Sequence, residues 1–270
     1  MLPPTGDDAS LLAEVSRIAI AAGDAIREIE RGGSYAIWRK PDASALTAAD
    51  LAANALIVEA LQALDPPTPV ISEEGSWNID GGVPERFWLV DPLDGTREFV
   101  AGNGEYTVNI ALIERGAPVL GVVHVPAQGI VYAATRGRGA SRTDAAGTRA
   151  IRARANGELV VVVSRSHAGP LLATFLAALP PHRTLAMGSA IKMCLVADGT
   201  AQLYPRLGPT CWWDTAAAHA IALECGADVV ALDGAALRYD GATILNPSFV
   251  CASVPRATWL AGARAVERDA

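Results

Sequence analysis

Trp88-Leu89-Val90-Asp91-Pro92-Leu93-Asp94-Gly95-Thr96-Arg97-Glu98-Phe99 is the stretch on which the reading of this chain turns. An apolar strand, beginning at RFWLV (86–90), runs into two acids three residues apart, with Pro92 between them and Gly95-Thr96 directly after. Pro92 fixes its own φ and biases Asp91 away from helical angles, so a sharp turn is expected at the strand's carboxyl end. Such ends are where α/β proteins place ligands. Gly95 lets backbone approach a ligand, and Gly95-Thr96 can open a helical turn whose free N–H groups meet a phosphate. Two carboxylates facing one pocket repel unless they are protonated or bridged by cations, and hard oxygen ligands on a loop favour magnesium. Taken alone, the stretch also reads as a plain turn, since Asp-Pro and Asp-Gly are common turn pairs.

Three further features weigh against the plain turn. Ile71-Ser72-Glu73-Glu74-Gly75 puts acids at the end of another strand, Trp212-Trp213-Asp214-Thr215-Ala216 puts one at the start of a helix, and Thr47-Ala48-Ala49-Asp50 puts one in the first turn of a second helix. Each has a structural reading of its own: a solvated turn for Glu73 and Glu74, an N-cap for Asp214, and a capping box for Thr47 and Asp50.

Around these motifs the chain alternates between rhythms. A helix capped by Ser10, with Leu11, Val15, Ile18, Ala22, Ile26 and Ile29 on one face, is expected to end at Gly32-Gly33, and a second helix to run from Thr47 to the Asp65-Pro66-Pro67 stop. Strands at 69–72, 86–90, 106–114, 119–125 and 130–135 follow, the last three separated by turns as in an antiparallel meander. Residues 136–158, rich in Gly, Arg, Ala and Thr, are taken as a loop-rich connection. Strands at 159–164, 184–187 and 201–205 then alternate with helices at 169–179, 190–198 and 214–225, an α/β layer. The expected organisation is a disordered lead-in over 1–9, an α+β half over 10–155 carrying the metal loops, and an α/β half over 156–270 carrying the specificity residues.

The 270 residues are 51% hydrophobic and only 19% charged, enough apolar material for a large core and too much for a disordered chain. A net charge of −7 with no long basic run argues against a general nucleic-acid binder, though a few cations gathered in one cleft can still bind an anion. The four cysteines form no C-x-x-C pair and no zinc-ligand cluster, which points to a reduced, cytoplasmic compartment. The start, MLPPTGDDAS, has no basic n-region, and no segment reaches the ~20 apolar residues of a membrane span.

ISEE, WLVDPLDGTREF and WWDTAAAHA, in that order, resemble the signature of the magnesium-dependent, lithium-sensitive phosphatases that include inositol monophosphatases and fructose-1,6-bisphosphatases. TAADLAAN, NGEYTVNIALI, SRSHA, GSAIKMCLVADGTAQLYPRLGPT and ILNP, with DGTREF in place of DGT-TNF, are similar to the branch of CysQ-type 3′(2′),5′-bisphosphate nucleotidases. The similarity runs from about residue 11 to 250 and leaves the segment after Phe249, with a short helix around Trp259, outside it. The resemblance implies an α/β fold with α+β layering, an αβαβα five-layer sandwich. It implies two or three Mg2+ ions held by Glu73, Asp91, the Leu93 carbonyl, Asp94 and Asp214, and an Asp50–Thr96 pair that holds and deprotonates the attacking water. Substrate contacts are implied for Glu73, Asp94, Gly95, Thr96, Arg97 and Asp214, and for His167, Ser189, Lys192 and Arg206 in the nucleotide pocket. The last four each have a plain alternative as solvated or strand-end side chains. His124, His182 and His219 read as structural, and Trp88, Trp212 and Trp213 as packing.

The activity implied is hydrolysis of adenosine 3′,5′-bisphosphate to AMP and phosphate, with 3′-phosphoadenylyl sulfate as a second substrate. The rivals are an inositol or other sugar-phosphate phosphatase on the same scaffold and a non-catalytic nucleotide sensor. The partner expected is a small nucleotide, not a polymer. The resemblance admits a homodimer and peripheral association with the inner membrane face, although the chain shows no amphipathic anchor for the latter.

Overall fold

The computed structural model describes residues 7–33, 36–39, 45–75, 82–166 and 169–269. The first helix, α1 (Asp7–Gly32), begins a turn before Ser10, so Ser10 lies inside it and residues 7–9 of the expected lead-in are helical. That extra turn precedes the apolar stripe, which is why periodicity did not reveal it. A short hairpin, β1 (Ile37–Arg39) and β2 (Ala45–Thr47), leads into α2 (Ala48–Leu64). Thr47 caps α2 by accepting from the Ala49 amide, while the Asp50 carboxylate reaches back to the Thr47 amide, closing the capping box.

Seven strands then form one sheet in chain order: β3 (Val70–Ser72), β4 (Arg86–Asp94), β5 (Thr107–Glu114), β6 (Ala117–Val125), β7 (Ile130–Thr135), β8 (Ala140–Asp144) and β9 (Gly147–Ile151). β3 is parallel to β4, and every later pair is antiparallel, as the meander reading required. The short helix α3 (Thr96–Val100) interrupts the run between β4 and β5. The expected connection over 136–158 is corrected. β8 and β9 make a hairpin there, its two-residue turn braced by the Ala146 amide donating to Asp144 Oδ1 at 3.0 Å. Most of β9 is exposed at the sheet edge, so the inside–outside alternation that marks a strand was never written into it.

The remainder supplies β10 (Val160–Ser164), α4 (Pro170–Ala177), β11 (Arg183–Met187), α5 (Ile191–Ala197), β12 (Leu203–Arg206), α6 (Ala216–Glu224), β13 (Asp228–Ala231), β14 (Phe249–Ala252) and α7 (Arg256–Asp269). The second sheet has the order β11-β10-β12-β14-β13. The short helix expected near Trp259 is a full 14-residue helix.

Burial shows how the layers stack. Alternate residues of β4 point both ways: Trp88 and Val90 join Val15, Ile26 and Ile57 of α1 and α2, whereas Phe87 and Leu89 face Ile191, Met193 and Ile221 of α5 and α6. The second sheet backs onto α5 and α6 through Val160 and Cys251 and onto α4 and α7 through Phe175, Trp259 and Val266. The result is helices, sheet, helices, sheet, helices: an αβαβα sandwich. Its middle layer is thin because α6 is AAAHAIALE, and β6 meets it at Gly121. A Cβ there would stand 2.2 Å from the Ala217 carbonyl oxygen. Among the described residues no helix is long and apolar enough to cross a membrane.

Candidate active site

β4 brings two carboxylates to one place because it does not end where Pro92 suggests. It continues to Asp94 by taking in an extra residue: Asp91 pairs with Asn109 and Asp94 with Thr107, so four residues of β4 span three of β5. Such a bulge re-aims side chains at a strand end. Asp91 Oδ1 accepts from the Leu93 amide at 3.1 Å, and Gly95, at φ +91, turns the chain into α3. These steps bring Asp91 inward and leave Asp94, Gly95 and Thr96 on the wall of a cleft of about 270 Å3.

Other elements deliver the remaining acids. Glu73 follows β3, its amide donating to the Val90 carbonyl at 3.1 Å, and its side chain lies within hydrogen-bonding reach of Asp91. Two carboxylates at that range must share a proton or a cation. Asp214 precedes α6 rather than capping it; Thr215 holds the cap position, and Asp214 Oδ2 accepts instead from the Cys211 amide at 2.8 Å. Asn246, not singled out in the sequence beyond its place in ILNP, ties that loop down by donating to the Cys211 carbonyl at 2.7 Å.

The acids load the site electrostatically. Burial first, then the charges of Glu73, Asp94 and Asp214, push the Asp91 carboxyl well above the ordinary carboxylate range. Asp94 is raised by burial against the pull of Lys192 and the Ala190 amide. Asp214 is pushed up to about 8, by burial and then by Asp94. No three Asp, Glu, His or Cys side chains among the described residues close to the spacing of a ready-made metal shell. The donor set nonetheless suits a hard cation, because buried like charges around one cleft are relieved by positive charge and offer only oxygen.

Asp50 lies behind the cleft wall. Thr96 Oγ1 donates to Asp50 Oδ1 at 3.2 Å and lies 3.3 Å from the Leu93 carbonyl. Asp50 Oδ2 accepts from the Thr47 amide at 2.7 Å and from the Thr47 hydroxyl. The capping and functional readings of Asp50 thus coexist: one oxygen caps the helix and the other holds Thr96. Burial raises the Asp50 carboxyl despite the Thr47 hydrogen bonds.

Cations line the same cleft. Lys192, on α5, is buried, donates to the Ser189 carbonyl and lies 5.6 Å over the Tyr204 ring. Burial pulls its ammonium down to about 8 although Asp94 opposes that. Arg206 lines the same cleft at the end of β12, with Nη2 donating to the Pro209 carbonyl at 2.7 Å. Ser189 is left-handed at φ +46, which costs a non-glycine residue roughly 1–2 kcal/mol.

The structure therefore gathers Glu73, Asp94, Gly95, Thr96, Arg97, Ser189, Lys192, Arg206 and Asp214 around one cleft, with Asp50, Asp91 and Leu93 directly behind. His167 lies outside the described residues. His124 and His219 serve the core, bonding the Ile130 carbonyl at 3.0 Å and the Tyr239 hydroxyl at 2.9 Å, and Trp88, Trp212 and Trp213 are buried in packing. Sequence reasoning gave no role to Asn109, whose Nδ2 lies 3.5 Å from Asp94 Oδ2, nor to Glu98, Glu105 and Arg165 beside the cleft. Asn109 sits opposite Asp91 only through the β4–β5 register, which no local motif announces.

Residues 7–268 match the model of the inositol monophosphatase family. The match takes in α7, so the closing segment shares the family architecture that the motifs alone did not extend to it. The 3′(2′),5′-bisphosphate nucleotidase CysQ of Salmonella typhimurium is 47% identical over 245 residues, 88% of this chain and 98% of that protein. The CysQ nucleotidase of Escherichia coli K12 is 45% identical over 243 residues, again 88% and 98%. The crystal structure of CysQ from Bacteroides thetaiotaomicron, a bacterial member of the inositol monophosphatase family, superposes with a TM-score of 0.80 at 37% identity. It covers 90% of this chain and 97% of that one.

Proposed function

The chain belongs to the inositol monophosphatase family, and we propose that it is a magnesium-dependent 3′(2′),5′-bisphosphate nucleotidase that hydrolyses adenosine 3′,5′-bisphosphate to AMP and phosphate. The observation that carries this reading is the polarity of the cleft. Glu73, Asp94 and Asp214, with Asp91 behind them, share one cleft with Lys192 and Arg206. A substrate with one phosphate to be cleaved and a second to be held fits such a mixture of acids and cations.

Glu73, Asp91, the Leu93 carbonyl, Asp94 and Asp214 are the residues we assign to hold magnesium. When bound, such ions neutralise the phosphate dianion and acidify water. Thr96, its hydroxyl proton directed to Asp50, presents an oxygen lone pair to the attacking water. As the water attacks phosphorus it gives a proton to Thr96, and Thr96 passes its own to Asp50, whose raised affinity for protons suits the task. The Gly95 and Thr96 amides grip the departing phosphoryl group, and Arg97 attracts it from the exposed rim. Lys192, Ser189 and Arg206 hold the 5′-phosphate and ribose end, leaving the 3′-phosphate toward the acids. The same arrangement accepts 3′-phosphoadenylyl sulfate, whose 5′ end is also anionic.

Phosphate release from adenosine 3′,5′-bisphosphate, 3′-phosphoadenylyl sulfate and inositol 1-phosphate, with and without magnesium and with added lithium, tests the proposal. The two nucleotides should be preferred, only with magnesium, and lithium should inhibit. A preference for inositol 1-phosphate would overturn it.

A further inference from the structure

Five consecutive residues that shape the cationic wall are each fastened through their backbone. Arg165 Nη2 donates to the Ala186 carbonyl at 3.0 Å and the Arg165 amide to the Met187 carbonyl at 3.2 Å. The Gly188 amide donates to Glu105 Oε2 at 2.7 Å, the Ser189 carbonyl accepts from Lys192, and the Ala190 amide donates to Asp94 Oδ2 at 2.6 Å. Two of these ties are joined by one ion pair. Arg165 Nε and Nη2 meet the two oxygens of Glu105 at 2.7 and 2.6 Å, a fork that fixes direction as well as distance.

The fork crosses between sheets. Glu105 precedes β5 and Arg165 follows β10, so the pair binds the rim of the first sheet to the end of β11 in the second. Contact beneath it is tight: a Cβ on Gly188 would stand 2.7 Å from the Glu105 carbonyl oxygen and 2.8 Å from Glu98 Cγ. A second, lighter link runs beside it, from the Ser166 hydroxyl to Glu98 Oε1 at 2.5 Å. Ser189, next in the chain, holds the left-handed conformation that only surrounding contacts maintain.

We infer that Glu105 and Arg165 are positioning residues for substrate recognition: their ion pair clamps the Gly188–Ser189–Ala190 turn, and so aims Lys192 at the distal phosphate and the Ala190 amide at Asp94. This rests on the nucleotidase reading above. Neither side chain touches the reacting atoms; each acts through the turn. Glu105 is largely covered while Arg165 is half-open to solvent, so removing the guanidinium leaves the fold intact and loosens only the turn.

Arg165→Met, Arg165→Lys, Glu105→Gln and the double variant Glu105→Gln/Arg165→Met test the clamp. Arg183→Met, at the other end of β11, is the control, because its ion pair with Glu158 is exposed and remote from the cleft. For adenosine 3′,5′-bisphosphate, Arg165→Met should raise KM about fivefold or more with kcat changed about twofold or less, and Arg165→Lys should recover part of the loss. The double variant should cost less than the sum of the singles. Amide hydrogen exchange at residues 188–190 should accelerate about tenfold in Arg165→Met and stay unchanged in the control. A lower melting temperature with KM and turn exchange both unmoved would overturn the inference and leave the pair a mere strap between layers. Were the wild-type protein inactive on the bisphosphate, the nucleotidase reading would fall, and the exchange rates would still decide the clamp.

Discussion

The acidic residues of the cleft, its first wall, and the cationic ones beside them, its second, reach the same 270 Å3 space by different routes. Asp91 and Asp94 share one strand end and Asp50 is anchored by the helix cap it closes, with Asp94 also accepting from the distant Ala190 amide. Lys192 and Ser189 sit on a strained turn that is kept in place by residues far along the chain, Asp94, Glu105 and Arg165. Charge separates the walls further. Buried carboxylates that repel one another raise the proton affinity of the first set, while in the second the buried Lys192 donates to the Ser189 carbonyl and its charge is favoured by Asp94. Under the proposed function, the difference divides the labour: the acidic set does the chemistry and the cationic set does the selecting.

Asp94→Asn should break the comparison most severely. Losing the carboxylate that faces both walls should lower kcat about 10³-fold, the scale of losing one preorganised charge-stabilising group, while circular dichroism shows the fold retained. Thr96→Ala should follow at about 10²-fold in kcat with KM little changed, and Thr96→Ser should keep most of the activity because the hydroxyl is restored.

The acidic wall also makes a thermodynamic prediction. Asp214 and Asp91 have folded-state pKa values above the unfolded value of 3.8. Between pH 3.8 and about 8 these carboxyls therefore bind more protons in the folded chain than in the unfolded one, and their contribution to stability falls as pH rises through that window. Metal-free protein should melt lower at pH 8 than at pH 5, and saturating magnesium should restore roughly 5–10 °C at pH 8 and less at pH 5. Calorimetry showing no such pH-dependent gain would separate these carboxylates from cation binding.

The smallest expected effect sharpens the second wall. Lys192→Met should raise KM for adenosine 3′,5′-bisphosphate about tenfold, as loss of a charge-assisted hydrogen bond implies. Hydrolysis of 3′-AMP, which has no 5′-phosphate, should change about twofold or less. Equal losses on both substrates would move Lys192 from recognition into general support of the site.

How much of this was legible in the sequence follows the same division. WLVDPLDGTREF, ISEE and WWDT write the acidic wall in contiguous letters, and apolar runs parted by turn residues write the meander that carries it. The Asp50–Thr96 contact joins two such motifs and could be expected from resemblance alone, since nothing local relates residues 46 apart. The bulge that places Asp94 was hidden because Pro92 reads as a stop. The Glu105–Arg165 fork was invisible for a more general reason: an isolated Glu and an isolated Arg have no signature until the two sheets fix their distance. The β8–β9 hairpin escaped because an exposed edge strand need not alternate, and α1 gained a turn that no apolar residue marked.

Gly121 gives the architecture a lever arm. Asp214 stands just before α6, and that helix rests its first turn, at the Ala217 carbonyl, where Gly121 has no side chain. One methyl group added to β6 must therefore tilt or lift the helix, and the displacement would arrive at Asp214 although Gly121 does not line the cleft. The gap between hydrogen and methyl at a single backbone position thus bears on the aim of a carboxylate nearly a hundred residues away.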